Sequence, residues 1–227
     1  MHSAGTEMKY KSVFDIIGPV MIGPSSSHTA GPVRIGQVAR NIFGKEPDEI
    51  GVHFYGSFAK TYRGHATDVA VIGGVLGFST DDARVKNSIS IAEKKGIKVE
   101  FFEEEAIVDH PNTVRIDLKA GRETMEIVGV SIGGGAIQIT ELDGFALKLS
   151  GENPALLIFH KDAYGAVADV TKILTEHRIN IGHMEVSRLE KGCTALMVIE
   201  TDQVVNNKIQ EEISIGKNIK KLILLNT

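Results

Sequence analysis

The chain has 227 residues, of which 42% are hydrophobic and 24% are charged, a composition typical of a globular protein of one large or two modest domains. Its formal net charge of -4 and isoelectric point near 6.1 argue against a nucleic acid or an anionic membrane as the main partner. No apolar run approaches the roughly 20 residues of a membrane-spanning helix, and the first residues lack the pattern of a secretory signal. Cys193 is the only cysteine, so we expect a cytoplasmic protein without an internal disulfide.

The first half is predicted to be a mixed α/β domain of residues 8–150, after an artificial leader at residues 1–7. An amphipathic pattern with Pro32 in its first turn and Gly44 just past its end predicts the first helix. Asp143 and Gly144 predict a tight hairpin. The other predicted elements are strands at 50–55, 97–102, 113–118, 125–130, 138–142 and 145–149, with helices at 66–76 and 83–95.

The second half, residues 154–227, follows a polar stretch at residues 150–154 that contains Gly and Pro and predicts a linker. Its pattern alternates strand, helix, strand, strand, helix and strand. These elements are predicted at 155–159, 166–177, 179–187, 194–199, 204–213 and 219–225. This βαββαβ order is typical of the ferredoxin-like fold.

Residues 23–32 hold the most concentrated polar group of the chain, with the sequence GPSSSHTAGP. Because this segment leads into the first helix, its backbone N–H groups and the helix dipole favour an anion, and the hydroxyls add hydrogen-bond donors. The cluster therefore predicts a site for a small carboxylate or phosphate. The alternative is a turn with capping side chains, which does not require the histidine inside it.

Three of the eight histidines, His28, His65 and His110, lie beside polar groups in loops that contain Gly or Pro. An imidazole titrates near neutral pH, so these residues are candidates for proton transfer. Asp68, three residues after His65, would either orient that ring or cap the following helix. The alternatives are hydrogen-bonding roles within the loops or a three-histidine zinc site, which no short His spacing supports.

The run at residues 23–32 resembles the signature of iron–sulfur-dependent L-serine dehydratases. Residues 64–68 (GHATD) and 110–113 (HPNT) match two further motifs of that family in the same order, and the resemblance extends over residues 10–149. Ala66 stands where the family commonly has a glycine, a change that we expect to be tolerated. The resemblance implies the β subunit of the two-subunit form, inactive alone, whose α subunit ligates a 4Fe-4S cluster. One cysteine cannot ligate such a cluster by itself.

The family reaction converts L-serine to pyruvate and ammonia, and the resemblance implies roles for these residues in it. His65 would be the base, with Asp68 orienting it, and His28 would complete the hydrogen-bonding shell or shuttle protons. No metal ligand is expected in this chain. Substrate binding would fall to Ser25, Ser26, Ser27, Thr29, Asn112 and, with less support, His110.

Two other functions stay open: a purely regulatory subunit and a stand-alone sensor of an amino acid or anion. The first half also resembles the allosteric substrate-binding domain of some phosphoglycerate dehydrogenases, which supports a non-catalytic role. A catalytic subunit and a regulatory subunit differ in one outcome. Substitution of His28, His65 or Asn112 should abolish turnover in the first and only alter an effector response in the second.

The second half resembles an ACT domain, a small regulatory module that binds amino acids. Residues 162–165 (DAYG) match its first ligand-binding loop and residues 179–182 (INIG) match the entry to its second strand. The resemblance implies an amino-acid effector bound by Asp162, Gly165 and Asn180, and homodimerisation through this domain. An ACT domain that serves only for dimerisation is the alternative.

Overall fold

A computed structural model describes residues 20–226, so the predicted leader and residues 8–19 lie outside the described part of the chain. The first sheet has six strands in the spatial order β2-β1-β3-β4-β5-β6. Strands β1 and β2 are parallel and all other neighbours in the sheet are antiparallel. The strands are β1 Glu49–Tyr55, β2 Lys98–Glu104, β3 Thr113–Ala120, β4 Glu123–Gly133, β5 Ala136–Leu142 and β6 Phe145–Leu149.

The described part of this half, from residue 20 onward, contains four α-helices: α1 Gly31–Phe43, α2 Gly56–Thr61, α3 Thr67–Val75 and α4 Ser88–Lys94. Helix α1 is confirmed as predicted, with Pro32 in its first turn and Gly44 left-handed at φ 78° beyond its end. The helix predicted at 83–95 is wrong at its start, because a 3-10 turn at Val85–Asn87 precedes α4. Helix α2, which has only six residues, was not predicted.

Two glycines let α1 and α3 cross in backbone contact. A Cβ atom on Gly36 would lie 2.4 Å from the Val71 carbonyl oxygen, and one on Gly74 would lie 2.0 Å from that of Val33. Real Cβ atoms do not approach backbone so closely, so only glycine fits at either position. This crossing fixes α1 and α3 side by side, and with them the two loops that lead into these helices.

The hairpin between β5 and β6 is confirmed. Asp143 and Gly144 both have positive φ, 48° and 81°, as a two-residue type I′ turn requires. Its backbone twist matches the right-handed twist of the flanking strands, which fixes their pairing.

The second sheet is antiparallel throughout, in the order β10-β7-β9-β8. The element order confirms the predicted βαββαβ pattern, and the mixed α/β fold followed by a ferredoxin-like unit is as predicted. The elements are β7 Ala155–Lys161, α5 Ala166–Glu176, β8 Ile181–Arg188, β9 Thr194–Thr201, α6 Asn207–Ser214 and β10 Ile219–Leu225.

The two sheets share a hydrophobic core. Leu157, Leu196 and Val198 on one face of the second sheet belong to the same buried cluster as Leu147 and Leu149 of the first. The other face of the second sheet packs against α5 and α6. No helix within residues 20–226 combines the length and the apolar character needed to cross a membrane.

The segment between the sheets is held by a buried carboxylate. Glu200, only 8% exposed, accepts hydrogen bonds from the backbone N–H and the hydroxyl of Ser150, both at 2.9 Å. On the other side, Arg34 of α1 donates to the Gly135 carbonyl at 2.8 Å and pairs with Glu152 at 3.2 Å. The segment is therefore anchored to both halves.

Candidate active site

The serine loop, defined as residues 25–30, forms the first part of the site. Ser26–Ala30 make one π-helical turn that continues directly into α1. Ser25 precedes this turn, and its hydroxyl accepts the His28 N–H at 3.2 Å and lies 3.2 Å from the Ser27 hydroxyl. A π-helical turn within a helix is rare and frequently marks a functional site.

The first two backbone N–H groups of this turn, those of Ser26 and Ser27, have no hydrogen-bond acceptor among residues 20–226. Unpaired N–H groups at the start of a helical segment carry a partial positive charge. With the neighbouring hydroxyls, they are available to donate hydrogen bonds to an anion, and binding of a carboxylate there stays a prediction.

His28 is half-buried in the turn, and each ring nitrogen faces a hydroxyl. Nδ1 lies 3.0 Å from Ser27 Oγ and Nε2 lies 3.3 Å from Ser57 Oγ. The ring also packs edge-on against Phe58, with centroids 5.2 Å apart. Burial, and after it the charge of His65, lowers the pKa of His28 below its ordinary value of 6.5. The imidazole is therefore neutral at pH 7 and can both donate and accept a proton.

His65 lies next to His28, with ring centroids 4.9 Å apart and planes tilted by 49°. Two reciprocal hydrogen bonds join their loops: Thr29 Oγ1 donates to the His65 carbonyl at 3.1 Å, and Thr67 Oγ1 donates to the His28 carbonyl at 2.8 Å. The His65 side chain is exposed, and its ring has no hydrogen-bond partner in the described part of the chain. This ring is free to reach a ligand.

Ala66 occupies the left-handed region, at φ 60° and ψ 30°, immediately before α3. This conformation costs an L-residue about 1–2 kcal/mol, whereas glycine adopts it freely. The structure thus gives a physical reason for a glycine at this position. Ala66 is accommodated there under backbone strain.

Asp68 lies in the first turn of α3 and hydrogen-bonds the neighbouring backbone. Its Oδ1 accepts the backbone N–H of Val69 at 2.8 Å, in the first turn of α3, and the described residues contain no hydrogen bond between Asp68 and His65. Burial raises the pKa of the Asp68 carboxyl, and backbone N–H groups oppose that rise. Asp68 thus contacts the backbone of α3, and its role in orienting His65 stays a prediction.

The loop before β3 supplies the third part of the site. Thr113 Oγ1 donates to the His110 carbonyl at 2.6 Å, and His110 Nδ1 accepts the Asn112 N–H at 3.1 Å. The Asn112 side chain donates to the Ser131 carbonyl at 3.5 Å. His110 is thus an acceptor within its own loop.

Ser57 joins this third loop to the serine loop. Its hydroxyl faces His28, and its backbone N–H donates to the Pro111 carbonyl at 2.7 Å. The sequence reasoning missed Ser57. The available signal was a Gly-Ser pair directly after the predicted strand at 50–55.

A cleft of about 960 Å³ opens beside these residues. Gly56, Gly64 and Pro111, which line it, are the chain neighbours of Ser57, His65 and His110. Its walls carry Lys60, Arg63 and the acidic run Glu103, Glu104 and Glu105. Ile107 on its rim is fully exposed, at 101% of its reference area.

The predicted effector residues lie in the second half, where their side chains already have partners. Asp162 Oδ2 accepts from Arg188 and from the Gly192 N–H, both at 2.8 Å, and these contacts lower the pKa of Asp162, the Gly192 N–H most. Asn180 donates to Asp202 Oδ2 at 2.6 Å. Gly165, left-handed at φ 88°, directly precedes α5.

No group of three or more His, Cys, Asp or Glu side chains within residues 20–226 could hold a metal ion. Cys193 is exposed in the turn before β9, beside Glu190 at 3.6 Å. These residues do not fit an iron–sulfur cluster.

The geometry defines a class: an α/β domain whose polar site is assembled from three loops, joined to a ferredoxin-like unit. The chain belongs to the serine dehydratase beta chain family, whose model matches residues 12–141, and the ACT domain model matches residues 155–214.

Similar proteins span nearly the whole chain. The "Probable L-serine dehydratase, beta chain" of Bacillus subtilis (strain 168) is 58% identical over 212 residues, which cover 93% of this chain and 96% of that protein. The "L-serine dehydratase, beta chain" of Peptoniphilus asaccharolyticus is 34% identical, covering 89% of this chain and 92% of that protein. A D-3-phosphoglycerate dehydrogenase of Bacillus subtilis is 26% identical, covering 75% of this chain but 33% of that protein.

Proposed function

We propose that this chain is the β subunit of a two-subunit L-serine dehydratase and supplies substrate-binding and proton-transfer residues to a site shared with an α subunit. The observation that carries the proposal is the meeting of the three loops, with His28 and His65 in ring contact and Ser57 linking the third loop to them. The two relatives named as beta chains, each matched along more than nine-tenths of its length, support the assignment.

The substrate carboxylate fits the start of the π-helical turn. Its oxygens would accept hydrogen bonds from the free N–H groups of Ser26 and Ser27 and from the Ser25 hydroxyl, whereas Thr29 would support the site by its hydrogen bond to the His65 carbonyl. Asn112, across the site, would hydrogen-bond the amino or hydroxyl group.

His65 is the proposed base for the α-proton of L-serine. Its exposed ring carries no internal hydrogen bond that must break, and the neutral His28 beside it can relay a proton along the serine hydroxyls. Loss of the α-proton and of the β-hydroxyl, which leaves as water, yields aminoacrylate, and its hydrolysis gives pyruvate and ammonia.

The iron–sulfur cluster is assigned to the α subunit, because the described residues of this chain hold no suitable ligand set. When bound there, it would supply a Lewis acid for the hydroxyl and carboxylate of the substrate. The cleft beside His65, with the exposed Ile107 on its rim, is the surface where we place that subunit.

The test is anaerobic reconstitution of the chain with its cysteine-bearing partner, followed by an assay of pyruvate from L-serine. We expect activity only from the complex, and His65→Ala should lower kcat by about 10²–10⁴-fold. His177→Ala is the matched control, since His177 pairs with Glu212 at 2.7 Å on the second half. Near-normal turnover by the His65 variant would refute its role as the base.

A regulatory subunit without catalytic residues is the second candidate, and the similarity to a phosphoglycerate dehydrogenase favours it. It predicts that His28, His65 and Asn112 variants lose an effector response while unregulated turnover stays unchanged. The same reconstitution separates the two functions.

A further inference from the structure

Ser57 occupies the junction of the three site loops. It lies in the first turn of α2, directly after β1. Its N–H donates to the Pro111 carbonyl at 2.7 Å, and its carbonyl accepts Thr61 Oγ1 at 2.7 Å. Thr61 in turn accepts the His65 N–H at 3.0 Å through its own carbonyl. The backbone of Ser57 is therefore fixed with respect to the loops of His65 and His110.

Gly56 makes this close approach possible. Its φ is 54°, and a Cβ atom there would lie 2.7 Å from the Pro111 carbonyl oxygen and 3.0 Å from Pro111 Cα. Both the left-handed backbone and the contact require glycine. The Gly56-Ser57 pair is thus held against the third loop without freedom to shift.

The Ser57 hydroxyl has one hydrogen-bond partner among the described residues, His28 Nε2 at 3.3 Å. Helix α2 begins without a side-chain cap, so the hydroxyl is not used by the helix. The other ring nitrogen of His28 faces Ser27 Oγ, and that oxygen faces Ser25 Oγ. Ser25, Ser27, His28 and Ser57 therefore form one row of hydrogen-bonded side chains, with Ser57 at one end.

A neutral imidazole has one N–H donor and one acceptor nitrogen, and its tautomer follows from its partners. A serine hydroxyl can donate or accept, so the tautomer of His28 depends on both of its hydroxyl partners, Ser27 and Ser57. The backbone contacts of Ser57 hold its hydroxyl in place beside Nε2, and loss of that hydroxyl would leave Ser27 as the one remaining partner of the ring in the described part of the chain.

We propose that Ser57 is a positioning residue that fixes the orientation and tautomer of His28. Through His28 it also affects the hydrogen bonds of Ser27 and Ser25. This inference deepens the proposed function and rests on it for its catalytic consequence. Ser57 acts through His28 and does not itself need to touch the substrate.

The first test uses the isolated full chain, labelled with ¹⁵N, and needs no activity. The ring ¹⁵N shifts of His28, assigned with a His28→Gln variant, report its tautomer. Ser57→Ala should change the His28 tautomer signals, and Ser57→Thr, which keeps the hydroxyl, should restore them. Ser90→Ala, at an exposed position of α4, is the control. Unchanged His28 signals in a folded Ser57→Ala chain would overturn the proposal.

The second test uses the anaerobic complex with the α partner. Loss of one hydrogen bond of ordinary strength predicts that Ser57→Ala lowers kcat by about 3–10-fold, with KM little changed and recovery in Ser57→Thr. Altered His28 signals with unaltered kcat would contradict the catalytic part. If the wild-type complex makes no pyruvate, the proposed function fails, whereas the shifts still decide whether Ser57 positions His28.

Discussion

The rings of His28 and His65 lie 4.9 Å apart, and neither residue has an anionic side chain as a hydrogen-bond partner in the described part of the chain. Burial and, after it, the charge of His65 lower the pKa of His28. The charged form of His28 is therefore disfavoured in the folded chain.

This relationship predicts a pH-dependent stability. Because the pKa of His28 is lowered on folding, the folded state binds its proton less readily than the unfolded state does. The free energy of unfolding should thus fall as the pH decreases through 6.5, the ordinary value for His28. Urea unfolding at about pH 8 and about pH 5.5 measures the effect.

His28→Gln is the variant that isolates this contribution, and it should flatten the decline. The contribution of Asp68 to the free energy of unfolding has the opposite pH dependence. Its raised pKa favours the folded state in acid, and this contribution is lost as the pH rises through that pKa. The comparison between wild type and variant cancels it. Equal pH slopes in the two proteins would contradict the assignment.

Ala66→Gly should stabilise the chain. At φ 60° the alanine carries left-handed strain, which glycine relieves at the cost of a more flexible unfolded chain. We expect a net gain of about 1 kcal/mol in the free energy of unfolding. Ala168→Gly, on the exposed side of α5, should instead cost about 0.5–1 kcal/mol, and a loss of stability in both variants would argue against strain at Ala66.

Gly74→Ala should separate the two helices that lead out of the site loops. The new Cβ would meet backbone atoms, the Val33 carbonyl oxygen at 2.0 Å and the Gln37 nitrogen at 2.9 Å, and backbone cannot move aside as a side chain can. Overpacking of this kind costs about 1–3 kcal/mol. Gly64→Ala is the control, because its Cβ would meet only Thr61, at 3.7 Å. Similar unfolding free energies for both variants would exclude a tight crossing.

Local signals were sufficient for much of the fold. Pro32 and Gly44 mark the ends of α1, and Asp143-Gly144 marks the hairpin, because the required backbone angles favour these residues strongly. The second half was predicted with its order of elements intact, although β8 begins two residues later than expected, at Ile181. Long periodic segments separated by turns carry this information in the sequence.

The way in which the three site loops meet could not be predicted from these local sequence signals. Helix α2 is too short for a helical period to be visible, so Ser57 had no predicted element to place it. Spacing left two roles open for Asp68, orienting the His65 ring or capping the next helix, and it could not show the hydrogen bond from the Val69 N–H. The left-handed backbone of Ala66, between His65 and the start of α3, could not be read from spacing either.

The last prediction concerns the surface where we place the α subunit. Ile107 is fully exposed among the residues that line the cleft next to Gly64, and its side chain would be removed from water if the α subunit covered this surface. Burial of one isoleucine contributes about 1.5–3 kcal/mol, so Ile107→Asp should weaken the complex by about 10–100-fold. Anaerobic titration calorimetry with the cysteine-bearing partner measures this affinity. Ile215→Asp is the matched control, because Ile215 is 83% exposed but lies at the end of α6 in the second half. Equal losses in the two variants would mean that charge on any exposed isoleucine disturbs assembly, and an unchanged affinity for Ile107→Asp would move the docking surface away from the cleft.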